Sequence, residues 1–96
     1  MARSGVLLIT GSVGLGGLNQ RRDVLVVQHL LNRAGNARLK EDGIVGNATV
    51  GAIRRYQSTV LGYPRPDARV DPQGRMLRSL AARVAPRPRA AAALRA

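Results

Sequence analysis

The sequence predicts an all-α protein, a compact three-helix bundle with a short extended N-terminal arm. Three segments repeat apolar residues at the three- and four-residue spacing that lines up one face of a helix. Glycine- and proline-bearing turns separate those segments. The 96 residues are enough for one small domain, which buries only about 60% or slightly more of its unfolded surface and therefore has little room for a deep enclosed site.

Residues 1–11 read as the arm, with Val6 to Ile9 apolar between Gly5 and Gly11 and expected to pack against the helices. Ser12 to Asn19 carries glycines at 14, 16 and 17 without the G-x-G-x-x-G order or the long preceding strand of a nucleotide fold, which argues against a phosphate cradle. The first helix is predicted to begin at Asp23, to turn Val24, Val27, Leu30 and Leu31 inward, and to stop at Gly35. A connector over 36–46 ends in a tight polar turn, where Gly43 and Gly46 permit unusual backbone angles and Asp42 and Asn47 can cap free N–H groups. The second helix is predicted from about Asn47 to Thr59, burying Val50, Ile53, Tyr56 and Val60 and leaving Arg54, Arg55, Ser58 and Thr59 to water.

Pro64 and Pro66 stiffen a loop over 62–69. Asp71 is then a natural N-cap and Pro72 a first helical residue for a third helix with Met76, Leu77, Leu80 and Val84 on its apolar face. The run Asp67-Ala68-Arg69-Val70-Asp71 echoes Asp42-Gly43-Ile44-Val45-Gly46, each leading into a helix. Residues 85–96, APRPRAAAALRA, lack a usable apolar face and are expected to form a flexible basic tail.

The run DGIVGNATVGAIRRYQ over 42–57 resembles the central signature of the peptidoglycan-binding domain family, a small three-helix cell-wall-binding module. Asp42, Gly43, Gly46 and Thr49, followed by Ile53, Tyr56 and Gln57, carry the resemblance, and Gln28, Leu30, Leu31 and Asn32 match the end of the family's first helix. It covers roughly residues 12–84. Ala68 and Met76 depart from the family's usual glycine and threonine in the second turn. The resemblance implies a shallow groove between the first two helices and their connecting turn, and a ligand in bacterial peptidoglycan, whose stem peptides offer carboxylates and amides.

Composition narrows the chemistry. Without cysteine there is no disulfide or thiolate site, and His29 alone cannot supply the imidazole-rich ligand set of a catalytic zinc. His29 is expected to be an ordinary exposed or half-buried helix residue. Glu41 and Asp42 are sequence neighbours beside a turn, a poor arrangement for the positioned carboxylate pair of a glycosidase. No enzyme, metal or cofactor is therefore expected. The formal charge of +11, with 15 arginines, favours anionic partners without choosing among them. The segment Pro72-Gln73-Gly74-Arg75 is a poor start for a recognition helix, so no specific nucleic acid is expected.

The candidate ligand contacts are Asn47, Arg54, Arg55 and Gln57: arginine holds a carboxylate through two parallel hydrogen bonds, and Gln57 can either face a ligand or anchor a turn, which spacing does not decide. Asp42, Gly43, Gly46, Thr49, Ile53 and Tyr56 are expected to be structural, with Tyr56 in the core and its hydroxyl at a polar edge. Val6 to Ile9 is too short for a signal-peptide core or a membrane span. The expectation is thus a non-catalytic reader of peptidoglycan, delivered to the wall by another route and targeting a lytic enzyme or secretion machine. The alternative is an assembly component of a bacteriophage tail or contractile injection particle with the same fold.

Overall fold

The computed structural model describes residues 8–84; the tail expected over 85–96 and the first seven residues of the arm lie outside the described residues. Its elements run β1 (Val13–Gly14), α1 (Arg21–Gly35), α2 (Asn47–Thr59), β2 (Arg69–Val70) and α3 (Arg75–Val84). Helix α1 is the central member and packs against both α2 and α3. Its stripe Val24, Val27, Leu30 and Leu31 meets Ile53 and Tyr56 of α2 and Met76, Leu77 and Leu80 of α3 in one core. Each large apolar side chain buried there contributes about 1.5–3 kcal/mol. Ile9, from the expected arm, is fully buried in the same core.

The helices depart from the sequence expectation at their ends. Helix α1 begins at Arg21, two residues before Asp23, and passes through Gly35 to a C-cap at Asn36 (φ 54°, ψ 41°). Asparagine tolerates this left-handed conformation, so Asn36 rather than Gly35 stops the helix. Helix α3 begins at Arg75 instead of Pro72 because Gln73 is left-handed (φ 61°) and cannot belong to a right-handed helix. Asp71 is consequently not its N-cap; its carbonyl accepts from the Gly74 N–H at 3.0 Å and its carboxylate from Arg69 Nε at 3.0 Å.

In α2 the buried residues are Thr49, Ile53, Tyr56 and Gln57. Val50 is only half-buried and Val60 exposed, so the inward stripe is rotated relative to the predicted one.

A two-strand antiparallel sheet, not anticipated from the sequence, pairs Val13 with Val70 and Gly14 with Arg69. It ties the segment before α1 to the segment before α3. Gly14 is at φ 119°, and a Cβ there would stand 2.2 Å from the Ala68 carbonyl oxygen, so the close approach of the strands admits only glycine.

Two glutamines order the turns. Gln28, 1% exposed on α1, donates from Nε2 toward Asp42 Oδ1 (3.1 Å), the Ile44 carbonyl (3.0 Å) and Thr49 Oγ1 (3.1 Å), and its Oε1 accepts the Gly43 N–H at 2.9 Å. Asp42 completes the turn by accepting the Ile44 N–H at 3.0 Å.

Gln57, also 1% exposed, repeats the arrangement on the second turn. Its Nε2 donates to Asp67 Oδ1 (2.8 Å) and the Arg69 carbonyl (3.1 Å), its Oε1 accepts the Ala68 N–H at 2.8 Å, and Asp67 accepts the Arg69 N–H at 3.0 Å. The echo between the two runs is thus a repeated physical device. Ala68 keeps the left-handed conformation of Gly43 (φ 58° against 76°), at a backbone cost of about 1 kcal/mol. Met76 is a buried core residue and brings no hydroxyl to the second turn.

The carboxylate of Asp23 pins the segment before α1. It accepts from the Thr10 N–H (3.1 Å), the Thr10 hydroxyl (3.1 Å) and the Gly11 N–H (2.9 Å). Burial pushes its pKa up, but these hydrogen bonds and Arg22 outweigh that effect and hold it below the usual carboxylate range. Asp67 behaves alike, with burial opposed by Gln57 and the Arg69 N–H. Asp42 is lowered by the Ile44 N–H and then by Gln28.

Replacing Gln28 or Gln57 by methionine keeps side-chain volume but strands buried polar groups of the turn. Each change is expected to lower the unfolding free energy by about 2–4 kcal/mol, read from urea denaturation. All three aspartates have folded pKa values below their unfolded ones. Their stabilisation is therefore present above the unfolded value of about 3.9 and lost as pH falls toward the folded values. Thermal melts should hold steady from neutral pH to about 5 and decline below about 4, with a shallower decline in the Asp42→Asn/Asp67→Asn protein.

Candidate functional site

The end of α1 and the start of α2 leave an open groove between them because the facing residues are small. Ala48, Gly51 and Ala52 occupy one face of α2, at the spacing that brings i, i+3 and i+4 together, and Gly35 and Ala37 stand across from them. The resulting space is about 420 Å³. Leu31 and Tyr56 are its buried members, and Leu39 is half-buried. Arg38 enters from the connector, and Asn47, Arg55 and Thr59 from α2, all exposed. Among the described residues, no acidic one lines it.

The connector wall is held in place by Asn32, one helical turn after Gln28. Its Oδ1 accepts the Leu39 N–H at 2.6 Å and its Nδ2 donates to the Leu39 carbonyl at 2.9 Å and to Glu41 at 2.9 Å. The Asn32 hydrogen bond and His29 keep the Glu41 pKa below its ordinary value. His29 is an exposed helix residue whose Nδ1 lies 3.2 Å from Glu41. Between Asn36 and Leu39 the chain turns sharply, with Ala37 N–H donating to the Leu31 carbonyl at 3.3 Å. Arg38 is left there at φ 58°, an uncommon conformation for a residue with a side chain.

The opposite wall is equally fixed. Tyr56 spans from the groove to α3, where its hydroxyl lies 2.7 Å from Ser79 Oγ, and the Arg83 guanidinium sits 5.9 Å from the ring centroid. The Thr59 hydroxyl donates to the Arg55 carbonyl at 2.8 Å, which closes the last turn of α2.

Of the four candidate contacts, the structure brings Asn47 and Arg55 to the groove. Arg54 is exposed on α2 but does not line it. Gln57 is corrected as a ligand contact and takes the other role open to it, the anchor of a turn. It points into the protein, and the Asp67–Arg69 turn takes both ends of its amide. Asn47 is the first residue of α2 and no side-chain bond caps that helix, so its expected capping role is not seen.

Gly43, Thr49, Ile53 and Tyr56 are buried, and Asp42 accepts within its turn. Gly46 takes the N-cap position of α2. Arg38 and the small residues Ala37, Ala48, Gly51 and Ala52 escaped sequence reasoning. An i, i+3, i+4 set of Ala and Gly on α2 was the available signal.

At Gly51 an added Cβ meets nothing within 4 Å. Gly51→Ala is expected to stabilise the fold by about 0.5–1 kcal/mol, since it removes the entropy cost of a mid-helix glycine. A rightward shift of the urea midpoint checks this.

No helix among the described residues is long and apolar enough to cross a membrane. No curated protein and no solved structure matches the chain. The family model described as "Putative peptidoglycan binding domain" matches residues 20–74. That span runs from the start of α1, through both glutamine-clamped turns and the groove, to the foot of α3. With more than half its length covered and three helices in place, the chain belongs to the peptidoglycan binding domain family.

Proposed function

We propose that the groove between α1 and α2 binds the peptide portion of cell-wall peptidoglycan, and that the chain is a non-catalytic reader holding a partner protein at the wall. The observation that carries this reading is an open space of about 420 Å³ with small apolar walls, an arginine from each side and no acidic residue. Guanidinium groups in such a setting favour carboxylates over neutral ligands.

The left-handed Arg38 adds support. A side-chain-bearing residue in this conformation costs about 1–2 kcal/mol, and glycine would avoid that cost. Keeping arginine there is physically sensible where its side chain serves a ligand. The chain's carboxylates also have structural partners: Asp23, Asp42 and Asp67 in buried or turn hydrogen bonds, Glu41 with Asn32, and Asp71 with Arg69. Such engagement fits a binding role better than general acid–base work.

Sedimentation with purified sacculi, run with excess DNA competitor at low and high salt, tests the proposal. The native chain should pellet with sacculi under all these conditions. Arg38→Gly should leave stability unchanged or raise it by up to about 1 kcal/mol, yet weaken retention, and Arg55→Ala should weaken it further with helical circular dichroism intact. Arg54→Ala should have a smaller effect than Arg55→Ala. Loss of retention to DNA or to salt alone would identify a generic polycation instead.

A further inference from the structure

We propose that the end of the molecule where α1 begins docks on an anionic phospholipid surface, with apolar side chains inserted among the lipid chains and neighbouring arginines at the phosphates. This surface is separate from the groove, for none of its residues lines the space between α1 and α2.

The glycine-rich loop between β1 and α1 carries Leu15 and Leu18, which are 55% and 70% exposed. Ile44, in the 42–44 turn, is 67% exposed. That turn packs on the first turns of α1, since a Cβ at Gly43 would stand 2.6 Å from Arg21 Cγ and 3.3 Å from Leu25 Cγ. Three of the four large apolar side chains exposed among the described residues thus flank one helix start, and the fourth, Val60, borders the groove.

The loop is fastened so that its leucines stay in the open. Asn19, at φ 56°, closes it by accepting the Gly14 N–H at 2.7 Å and donating from Nδ2 to the Gly14 carbonyl at 3.0 Å. The Leu15 N–H donates to the Ala68 carbonyl (2.9 Å), the Gly17 N–H to the Gly14 carbonyl (3.0 Å), the Leu18 N–H to Ser12 Oγ (3.1 Å) and the Asn19 N–H to the Ser12 carbonyl (2.9 Å). Backbone satisfied from within tolerates a water-poor lipid interface and leaves little for a protein partner that pairs with main chain. A fixed loop also spares the ordering cost of binding.

Charge selects the kind of lipid. Arg21 and Arg22 are exposed in the first turn of α1, the end of a helix that disfavours cations. The nearby carboxylates are engaged: Asp23 is buried and accepts from Thr10 and Gly11, and Asp42 accepts from Gln28 and the Ile44 N–H. Guanidinium groups beside apolar side chains match anionic headgroups over acyl chains.

The test sediments the full chain with vesicles of phosphatidylcholine, with and without phosphatidylglycerol and free of wall material. Binding should require the anionic lipid. Leu15→Gln/Leu18→Gln should lower the partition coefficient about tenfold to hundredfold, with the thermal melt and sacculus retention unchanged. Arg21→Gln/Arg22→Gln should weaken partition more than Arg54→Gln/Arg55→Gln does. The chain has no tryptophan, so Leu18→Trp adds a single reporter whose emission should shift to the blue on anionic vesicles.

Absence of binding to the anionic vesicles would overturn the proposal. So would binding indifferent to the leucines, equal losses from the two arginine pairs, or a bound reporter that stays in water, each the mark of a polycation adsorbing through charge alone. Loss of sacculus retention in the leucine variant would overturn it as well, by placing those side chains against the wall.

Discussion

Two glutamine side chains, each standing on a helix and presenting its amide to a tight aspartate turn, are the constraint on which the rest of the structure depends. Gln28 and Gln57 each give a donor and an acceptor to backbone groups of the turn. Buried backbone groups must find partners, and an amide side chain supplies both polarities from one position. Each clamp fixes where a helix sits relative to the turn leading into the next helix: α1 to the turn before α2, and α2 to the turn before α3. The chain is thereby built as two successive copies of one junction.

The groove follows from the first junction. Gln28 fixes the 42–44 turn and Asn32, four residues later on the same helix, fixes Leu39, so the connector is fastened at two points to one face of α1. The residues between Asn36 and Leu39 must then turn within a short span, which places Arg38 in its left-handed conformation beside the opening. Small residues on α2 leave the opposing space unfilled. Rigid support on both sides favours binding, since little ordering has to accompany ligand entry.

The same network organises charge. With five carboxylates drawn into turns, backbone hydrogen bonds and local pairs, the structure leaves most of its described arginines facing solvent. A positive field of this kind speeds encounter with any polyanion, and discrimination has to come from a shaped site.

Much of this was legible in the residues alone. The three apolar stripes, the position of Asn47 at a helix start, the turn at Asp42-Gly43 and its echo at Asp67 are local patterns, fixed by periodicity and by the few residue types that accept such backbone angles. The three-helix fold could be expected from them, and the resemblance carried by residues 42–57 added the family and the implied place of a groove. What sequence could not decide depended on long-range partners. Gln57 is chemically as fit for a ligand as for a turn, and only the arrival of Asp67–Arg69 against α2 assigns it inward. Arg38 carried no signature, because its position at the groove arises from the Asn32 clamp seven residues from Leu39 in the chain. The small sheet between Val13 and Val70 joins segments more than fifty residues apart, too short at each end to announce itself by alternation. Local chemistry determined the elements, while tertiary contacts decided which polar groups were consumed by the fold and which remained exposed at the groove.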